Sequence, residues 1–267
     1  NKNIIKSKIK KESDKNISVE TFLKNKKNKI NSKEFTKYFQ SDQKFFKDQD
    51  IIFGSDSKIT FEIDKNKKIK NLKLKSNLNF DNVKIDYISN RIKKRIPNYK
   101  NHIFLNSDYL ELNYSKNKTQ IKAKGKYSLN DKFDDYEINI INEKNKFDFE
   151  SSIDLNNNSI VIDEIDYMKE KDSLSILKLK ANFIKNNDIK FKHINLLNDK
   201  NNIAISNLQL SKDYKVKDID ALELNYLNKN KKKNYIKIIK NNNNYVLIGD
   251  HFDGSSLVND LLKGDSN

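Results

Sequence analysis

Three neighbouring carboxylates are the first candidates for chemistry in this sequence. Asp163, Glu164 and Asp166 stand within four positions of one another, and paired carboxylates are common general acids and bases. The surrounding stretch has the character of a turn with a solvated face. We therefore interpret the three as turn and surface residues rather than as a catalytic pair.

The segment GDHFDG, residues 249 to 254, could bind a divalent cation through Asp250, His251 and Asp253. A metal site usually needs convergent ligands from more than one loop, so a structural turn is favoured. His102 and His193 lie far from each other and lack the paired spacing of a zinc site. We predict a protein that is not an enzyme and that uses neither a metal nor another cofactor.

Composition limits the elements that can position these side chains. Hydrophobic residues make up 36% of the 267 residues, charged residues make up 34%, and the mean hydropathy is -0.88. A thick globular core needs more apolar material than this, whereas a single sheet layer needs apolar side chains on one face only. Intrinsic disorder is the competing interpretation, and we expect it, or a linker, only in the Lys-rich residues 1–17.

The clearest pattern is the alternation of apolar and polar residues between residues 59 and 248. A period of two is typical of strands with one apolar face, and the Asn, Lys and Asp clumps between them favour turns. Repeated hairpins predict a mainly β fold: a long antiparallel meander curled into an elongated open groove, with a few short helices. The strongest turn signals lie at 116–117, 130–131, 156–158, 186–187, 199–201, 212–213, 228–233 and 241–244.

Three regions follow from these patterns. Residues 1–50 are predicted to be a basic linker with short amphipathic helices, residues 51–254 the β-meander groove, and residues 255–267 a short C-terminal helix. One N-terminal helix is expected from Ser18 and a second from Asn31, where Glu34 completes a capping box. The apolar sides of these two helices would carry Val19, Phe22, Leu23, Phe35, Tyr38, Phe39, Phe45 and Phe46.

A helix is also predicted to interrupt the meander near residues 86–96. Ile85, Ile88, Ile92 and Ile96 recur at helical spacing, and Pro97 would end the helix. Its basic face is suited to anionic lipid headgroups, or it is the solvated side of a crossover helix.

The formal net charge of +16 raises the question of a nucleic-acid partner. Nearly all of this charge is Lys, since Arg occurs only at Arg91 and Arg95, and Arg is preferred for contacts to phosphates and bases. The Lys, Asn and Ile bias is also what an AT-rich genome imposes on its proteins. We interpret the charge as a solvated surface and expect no nucleic-acid partner.

The two ends of the sequence indicate a fragment. The chain begins at Asn1 without Met and stops shortly after a helix-like segment. No run reaches the 18 apolar residues of a membrane span, and there is no Cys. We expect any membrane anchor to lie outside this piece of the parent protein.

The segment YVLIGDHFDGSSLVNDLLKG, residues 245 to 264, combines a strand, a turn and a short helix capped by Ser255. It resembles the late segment of AsmA-like envelope proteins of Gram-negative bacteria, the group that includes the YhdP and TamB relatives. The matching positions are Gly249, Asp250, Phe252, Asp253 and Leu257.

This resemblance implies a periplasmic β-groove whose parent protein is anchored in the inner membrane. Such a groove conducts phospholipid between the inner and outer membranes, with acyl chains as the cargo and the membrane surface or other envelope proteins at its ends. An apolar face can shield acyl chains from water, so such transport needs no covalent chemistry. The alternative is a structural or adhesive β-sheet surface protein without lipid cargo. The candidate lining residues are Phe61, Ile63, Leu72, Leu74, Leu78, Phe80, Leu110, Leu112, Phe147, Phe149, Leu177, Leu179, Phe191, Leu222 and Leu224.

Overall fold

The protein is mainly β, and most of its strands belong to one large antiparallel sheet. We describe it from a computed structural model, which covers residues 3–13, 16–32, 49–144, 146–184, 188–199, 201–256 and 258. The predicted antiparallel meander is confirmed. Apart from three strands of three residues each, which lie outside this order, every strand pairs with the strand that precedes it and the strand that follows it in the chain.

The strands are numbered in chain order. They are β1 (Ile4–Ser13), β2 (Asn16–Asn31), β3 (Asp50–Asp64), β4 (Ile69–Asp86), β5 (His102–Ser115), β6 (Lys118–Ser128), β7 (Phe133–Glu143), β8 (Lys146–Asp154), β9 (Ile160–Ile162), β10 (Tyr167–Lys169), β11 (Ser175–Ile184), β12 (Ile189–Asn198), β13 (Asn201–Leu210), β14 (Val216–Asp218), β15 (Ala221–Leu227), β16 (Lys233–Asn241) and β17 (Asn244–His251). Several exceed the usual five or six residues, as the wide spacing of the turn signals predicts.

The chain divides into two compact units. The first unit takes residues 1–87, 102–128 and 135–147, and it contains β1 to β6 with most of β7. Its strands are adjacent in chain order. Inside it the rings of Tyr127 and Tyr136 meet edge to face at 6.4 Å, a favourable aromatic geometry.

The second unit takes residues 88–101, 129–134 and 148–267. Its strand order is β8-β11-β12-β13-β15-β16-β17, and β9 pairs with β10 in a small separate sheet. Tyr167 and Tyr226 are buried beside that small sheet, with their rings edge to face at 5.6 Å. The Tyr226 hydroxyl donates to the Ile165 carbonyl at 2.6 Å, which satisfies its polar end.

The only α-helix with both ends among the described residues is α1 (Asn90–Arg95), within the predicted interval. The Ser89 side chain accepts a hydrogen bond from the Ile92 amide at 3.3 Å and caps the helix. The helix ends at Ile96, directly before Pro97. It is shorter than its Ile spacing predicted because Ile85 belongs to β4, opposite Ile103.

The prediction for residues 1–50 is wrong for the described part of that region. Residues 4–13 form β1 rather than a linker, and the segment from Ser18 lies inside β2 rather than in a helix. Ile17, Val19 and Leu23 alternate at period two, and Val19 lies opposite Phe61 on β3. Strand pairing therefore prevails over the weak helical spacing. The helix predicted from Asn31, with its aromatic positions 35 to 46, lies outside the described residues.

The predicted turns at 116–117, 130–131, 156–158, 212–213, 228–233 and 241–244 are all turns, bends or strand connections. The signal at 186–187 and Lys200 lie outside the described residues. At the C-terminal end, the Val258 amide donates to the Gly254 carbonyl at 2.9 Å, which begins a helical turn. The rest of the predicted helix at 255–267 is not described.

Candidate functional site

The candidate site is the apolar face of the sheet, which strand register defines in each unit. In the first unit Ile59 lies opposite Leu74, and Leu78 lies opposite Leu110. Leu110 in turn lies opposite Ala123 on β6. Directly opposed residues point to the same side of a sheet, so apolar side chains from β3 to β6 share one face.

A β-bulge in β4 keeps this face continuous where the sequence alternation breaks. Ile69 and Leu72 are three positions apart, so a regular strand would point them to opposite sides. The register shifts at this point, which leaves Ile69 opposite Ile63. Asn71 supplies the left-handed backbone with a φ of 52°, a conformation that Asn tolerates better than most residues.

A second bulge in β4 has the same effect on the apolar face. Phe80 and Val83 are also three positions apart, and the register shifts between them. Asn82 has a φ of 54°, and its amide donates to the Asn106 side-chain oxygen at 2.5 Å. Val83 then lies opposite Leu105. Both breaks in the alternation therefore leave the apolar residues on one side.

The apolar face of the second unit crosses five neighbouring strands. Leu177, Leu196, Ile203, Leu224 and Ile236 are successively opposite one another from β11 to β16. The next row on the same side consists of Leu179, Ile194, Ile205, Leu222 and Ile238.

The alternation also changes phase on β13. Ile205 and Leu208 are three positions apart, and Asn207 between them has a φ of 50°. Leu208 consequently lies opposite Phe191 on β12, on the side that carries the apolar rows.

All fifteen candidate lining residues lie on the apolar side of their strands. On β8 the side is shown by Glu150, which forms an ion pair at 3.6 Å with Lys180 on the polar side of β11. Glu150 therefore lies on the polar side, and its neighbour Phe149 lies on the apolar side. Phe147 shares its side of β8 with Phe149. Leu72 is exposed, Leu224 is buried, and the other thirteen are half-buried. Their contact with lipid stays a prediction.

The sequence-based choice missed other members of the same face. Some of them share a strand with a chosen residue, others lie on β13 and β16, which were predicted as part of the meander without a chosen residue, and one lies on β2, for which a helix was predicted. They include Val19, Ile59, Ile194, Leu196, Ile203, Ile205, Ile236 and Ile238. Only Ile59 lies two positions from a chosen residue; finding the others requires the register of β2, β12, β13 and β16.

The acidic cluster at residues 163 to 166 is a turn, as predicted. It forms a single 3-10 turn that ends with Asp166 in the left-handed region. The Arg95 guanidinium donates two hydrogen bonds of 2.5 Å to Glu164, which lowers the pKa of that carboxyl to about 2. Lys229 lies 3.0 Å from Asp163 and 3.6 Å from Asp166. Each carboxylate is therefore held by a cation.

A buried polar cluster organises the turn after β8. The Lys169 ammonium donates to the carbonyls of Leu155, Asn156 and Asn158 at 2.6, 3.0 and 2.8 Å. Its side chain is only 1% exposed, and burial lowers its pKa. This arrangement satisfies three backbone acceptors at once, so its role is structural.

The opposite charge in this cluster is Asp134. Its carboxylate accepts hydrogen bonds from the amide and side chain of Asn157 and from the side chain of Asn158. Burial raises the pKa of Asp134, and these donors and Lys169 oppose that rise. No local sequence pattern indicates this cluster, because its members come from separate segments.

The GDHFDG segment divides between a strand and a turn. Gly249, Asp250 and His251 end β17, and a Cβ on Gly249 would lie 2.6 Å from the Tyr235 carbonyl oxygen. The Asp253 amide donates to the Asn234 side chain at 2.7 Å, and the Ser255 amide donates to the Asp253 carboxylate at 3.1 Å. The turn is thus built by its own hydrogen bonds. Leu257 lies outside the described residues.

The described part of the chain contains neither a metal-binding cluster nor a membrane-spanning helix. His102, His193 and His251 lie on three separate strands, β5, β12 and β17, and no group of three His, Asp or Glu side chains there could hold a metal ion. None of the described helices is both long and apolar enough to cross a bilayer.

Comparisons with protein-family models, with curated proteins and with solved structures found no match to this chain. The resemblance to AsmA-like envelope proteins therefore remains a prediction that depends on the residues quoted above.

Proposed function

We propose that this chain is part of a non-enzymatic envelope protein that shields phospholipid acyl chains on its apolar sheet face and conducts them between the inner and outer membranes. The parent protein would be anchored in the inner membrane and would work in the periplasm. The observation that carries the proposal is the side-by-side apolar rows, five strands wide in the second unit.

The partial exposure of most candidate residues supports a surface that receives a ligand, whereas four members of the first row, Leu196, Ile203, Leu224 and Ile236, are buried. Thirteen of the fifteen candidate residues are half-buried, whereas residues between two packed sheets are usually buried fully. An acyl chain laid along such a face recovers about 0.8 kcal/mol for each CH₂ removed from water. A dozen methylene groups would then contribute about 10 kcal/mol before the cost of ordering the chain.

Movement along the face requires that no single position hold the cargo strongly. Aliphatic and aromatic side chains provide contacts that are individually weak and similar from one row to the next. The bulges at Asn71 and Asn82 and the left-handed backbone at Asn207 support this interpretation, because each keeps apolar side chains on the same side where the sequence changes phase.

Lipid extraction tests the proposal. The chain would be purified without detergent, its lipids extracted, and the extract quantified by mass spectrometry against an equal amount of an unrelated basic protein. We expect phospholipid in near-stoichiometric or greater amount. Recovery of folded protein with no more phospholipid than the control would overturn the proposal, and accompanying self-association would favour the structural or adhesive alternative.

A matched pair of variants on β11 locates the binding. Leu179 lies in an apolar row, and its neighbour Lys180 points to the other side and pairs with Glu150. L179Q should lower the bound phospholipid several-fold, whereas K180Q should leave it within the error of the wild type. Equal lipid content in the two variants would contradict a cargo on the apolar face. Circular dichroism checks that both variants are folded.

A further inference from the structure

A pocket of about 360 Å³ lies on the polar side of the first unit, across β3 to β6. Four lysines line it: Lys58, Lys73, Lys75 and Lys118. Its other lining residues are mostly amides and hydroxyls, including Thr60 and Ser115, and Leu74 of the middle strand β4 completes the lining. No carboxylate is among its lining residues.

Strand register explains how the pocket forms. One row pairs Lys58 with Lys75, and the next places Lys73 between Thr60 and Ser115. Ser115 lies opposite Lys118 on β6. Long lysine side chains thus surround short hydroxyl side chains, which creates a depression with cationic walls and hydroxyl donors at its base.

The surrounding carboxylates leave this charge incompletely balanced. Lys118 lies 3.2 Å from Glu143, but Lys75 is 3.9 Å from Glu111, whose oxygens already accept from Tyr109 and Asn113.

The lysines of the pocket differ in how well their charge is neutralised. Lys58 forms an ion pair with Glu20. For Lys73, no carboxylate among the described residues lies within ion-pair distance. Like charges placed directly opposite each other destabilise a sheet, and Lys58 and Lys75 are such a pair. A bound anion would relieve that repulsion.

We propose that this pocket binds a phosphate group. Ammonium groups bind phosphate as point charges, and Thr60 and Ser115 add neutral donors. The volume exceeds that of a bare phosphate and falls in the range of ligand pockets, so the group would be carried by a larger molecule, either a phospholipid headgroup or a soluble phosphate compound. This inference goes beyond the proposed function, because the pocket lies on the side of the sheet opposite the apolar face.

Titration calorimetry with inorganic pyrophosphate at low ionic strength is the first arm of the test. We expect saturable binding with one site per chain, and K73Q/K118Q should weaken it at least about tenfold through the loss of two charged contacts. The control is K122Q/K124Q, which removes the same charge from the same side of β6 outside the pocket and should change affinity less than about twofold.

The second arm uses vesicles of phosphatidylglycerol, with phosphatidylcholine vesicles as the neutral reference. Pyrophosphate binding that depends on the pocket lysines supports a site for soluble phosphate compounds. Pocket-dependent binding to phosphatidylglycerol vesicles alone supports a headgroup site. Equal losses in the two double variants, or no saturable binding in either arm, would overturn the proposal. The extraction assay on L179Q has a separate readout, so failure of one idea leaves the other standing.

Discussion

Replacing Lys169 with Met should strongly destabilise the second unit. The ammonium group is buried and holds the carbonyls of Leu155, Asn156 and Asn158. Met has nearly the same shape as Lys without its donors. The substitution therefore leaves three carbonyl groups without their partner and removes the positive charge that offsets Asp134.

The expected loss follows from two opposing contributions. Each hydrogen bond to a charged group contributes about 1.5–3 kcal/mol, so three bonds give roughly 5–9 kcal/mol. Removing the buried ammonium also removes its desolvation penalty, which is several kcal/mol. We expect a net loss of about 3 kcal/mol in the free energy of unfolding.

Urea unfolding followed by circular dichroism and tyrosine fluorescence measures this loss. K171M is the matched control, because Lys171 is exposed and its replacement should cost less than about 0.5 kcal/mol. A K169M loss below about 1 kcal/mol, or equal losses in the two variants, would refute the argument that the ammonium organises the turn.

Three further predictions concern single contacts. Arg95 lowers the pKa of Glu164 from 4.5 to about 2, so the ion pair should stabilise the fold above pH 4.5, and this stabilisation should be lost as the pH falls toward 2. R95Q should therefore make the stability measured by urea unfolding less dependent on pH between 4.5 and 2. An unchanged pH dependence would contradict the prediction. N71V should lower the free energy of unfolding by about 1–2 kcal/mol because a β-branched residue resists a positive φ. N71G should change the free energy of unfolding by less than about 0.5 kcal/mol. Equal unfolding midpoints for the two variants would refute the bulge argument. G125A should cost about 2 kcal/mol or more, because the added Cβ would clash with the backbone carbonyl oxygen of Asn106. A melting temperature equal to that of the wild type would disprove this.

Period-two alternation was sufficient to predict the β-meander. Runs such as residues 72–80 and 220–227 have one apolar face in the sequence, and they have one in the sheet. Asn-rich clumps marked the turns because Asn and Asp tolerate the left-handed backbone, as at Asp131 and Asn242.

Phase changes were beyond this kind of prediction. The bulge at Asn71 and the phase change at Asn207 depend on which residue of the neighbouring strand must be matched, and that partner is distant in sequence. The N-terminal strands were missed for a similar reason. Ile17 and Val19 gain their strand conformation from pairing with Ile63 and Phe61, which local spacing does not reveal.

The candidate site was predictable in part. The fifteen lining residues were chosen from alternation alone, and they share the apolar side of their strands. The lysine pocket was not predicted, because it requires Lys58, Lys73 and Lys118 to meet across three different strands. Composition gave only the total charge, which by itself indicates no site.

The most direct test of lipid conduction is site-specific photo-crosslinking on β15, which does not line the lysine pocket. Leu222 lies on the apolar side, and the next residue, Glu223, lies on the polar side opposite Lys237. A photoreactive amino acid would be placed at either position in cells with labelled phospholipid. We expect a lipid adduct at Leu222 and none at Glu223. Equal labelling at the two positions, or an adduct only at Glu223, would contradict lipid conduction on the apolar face.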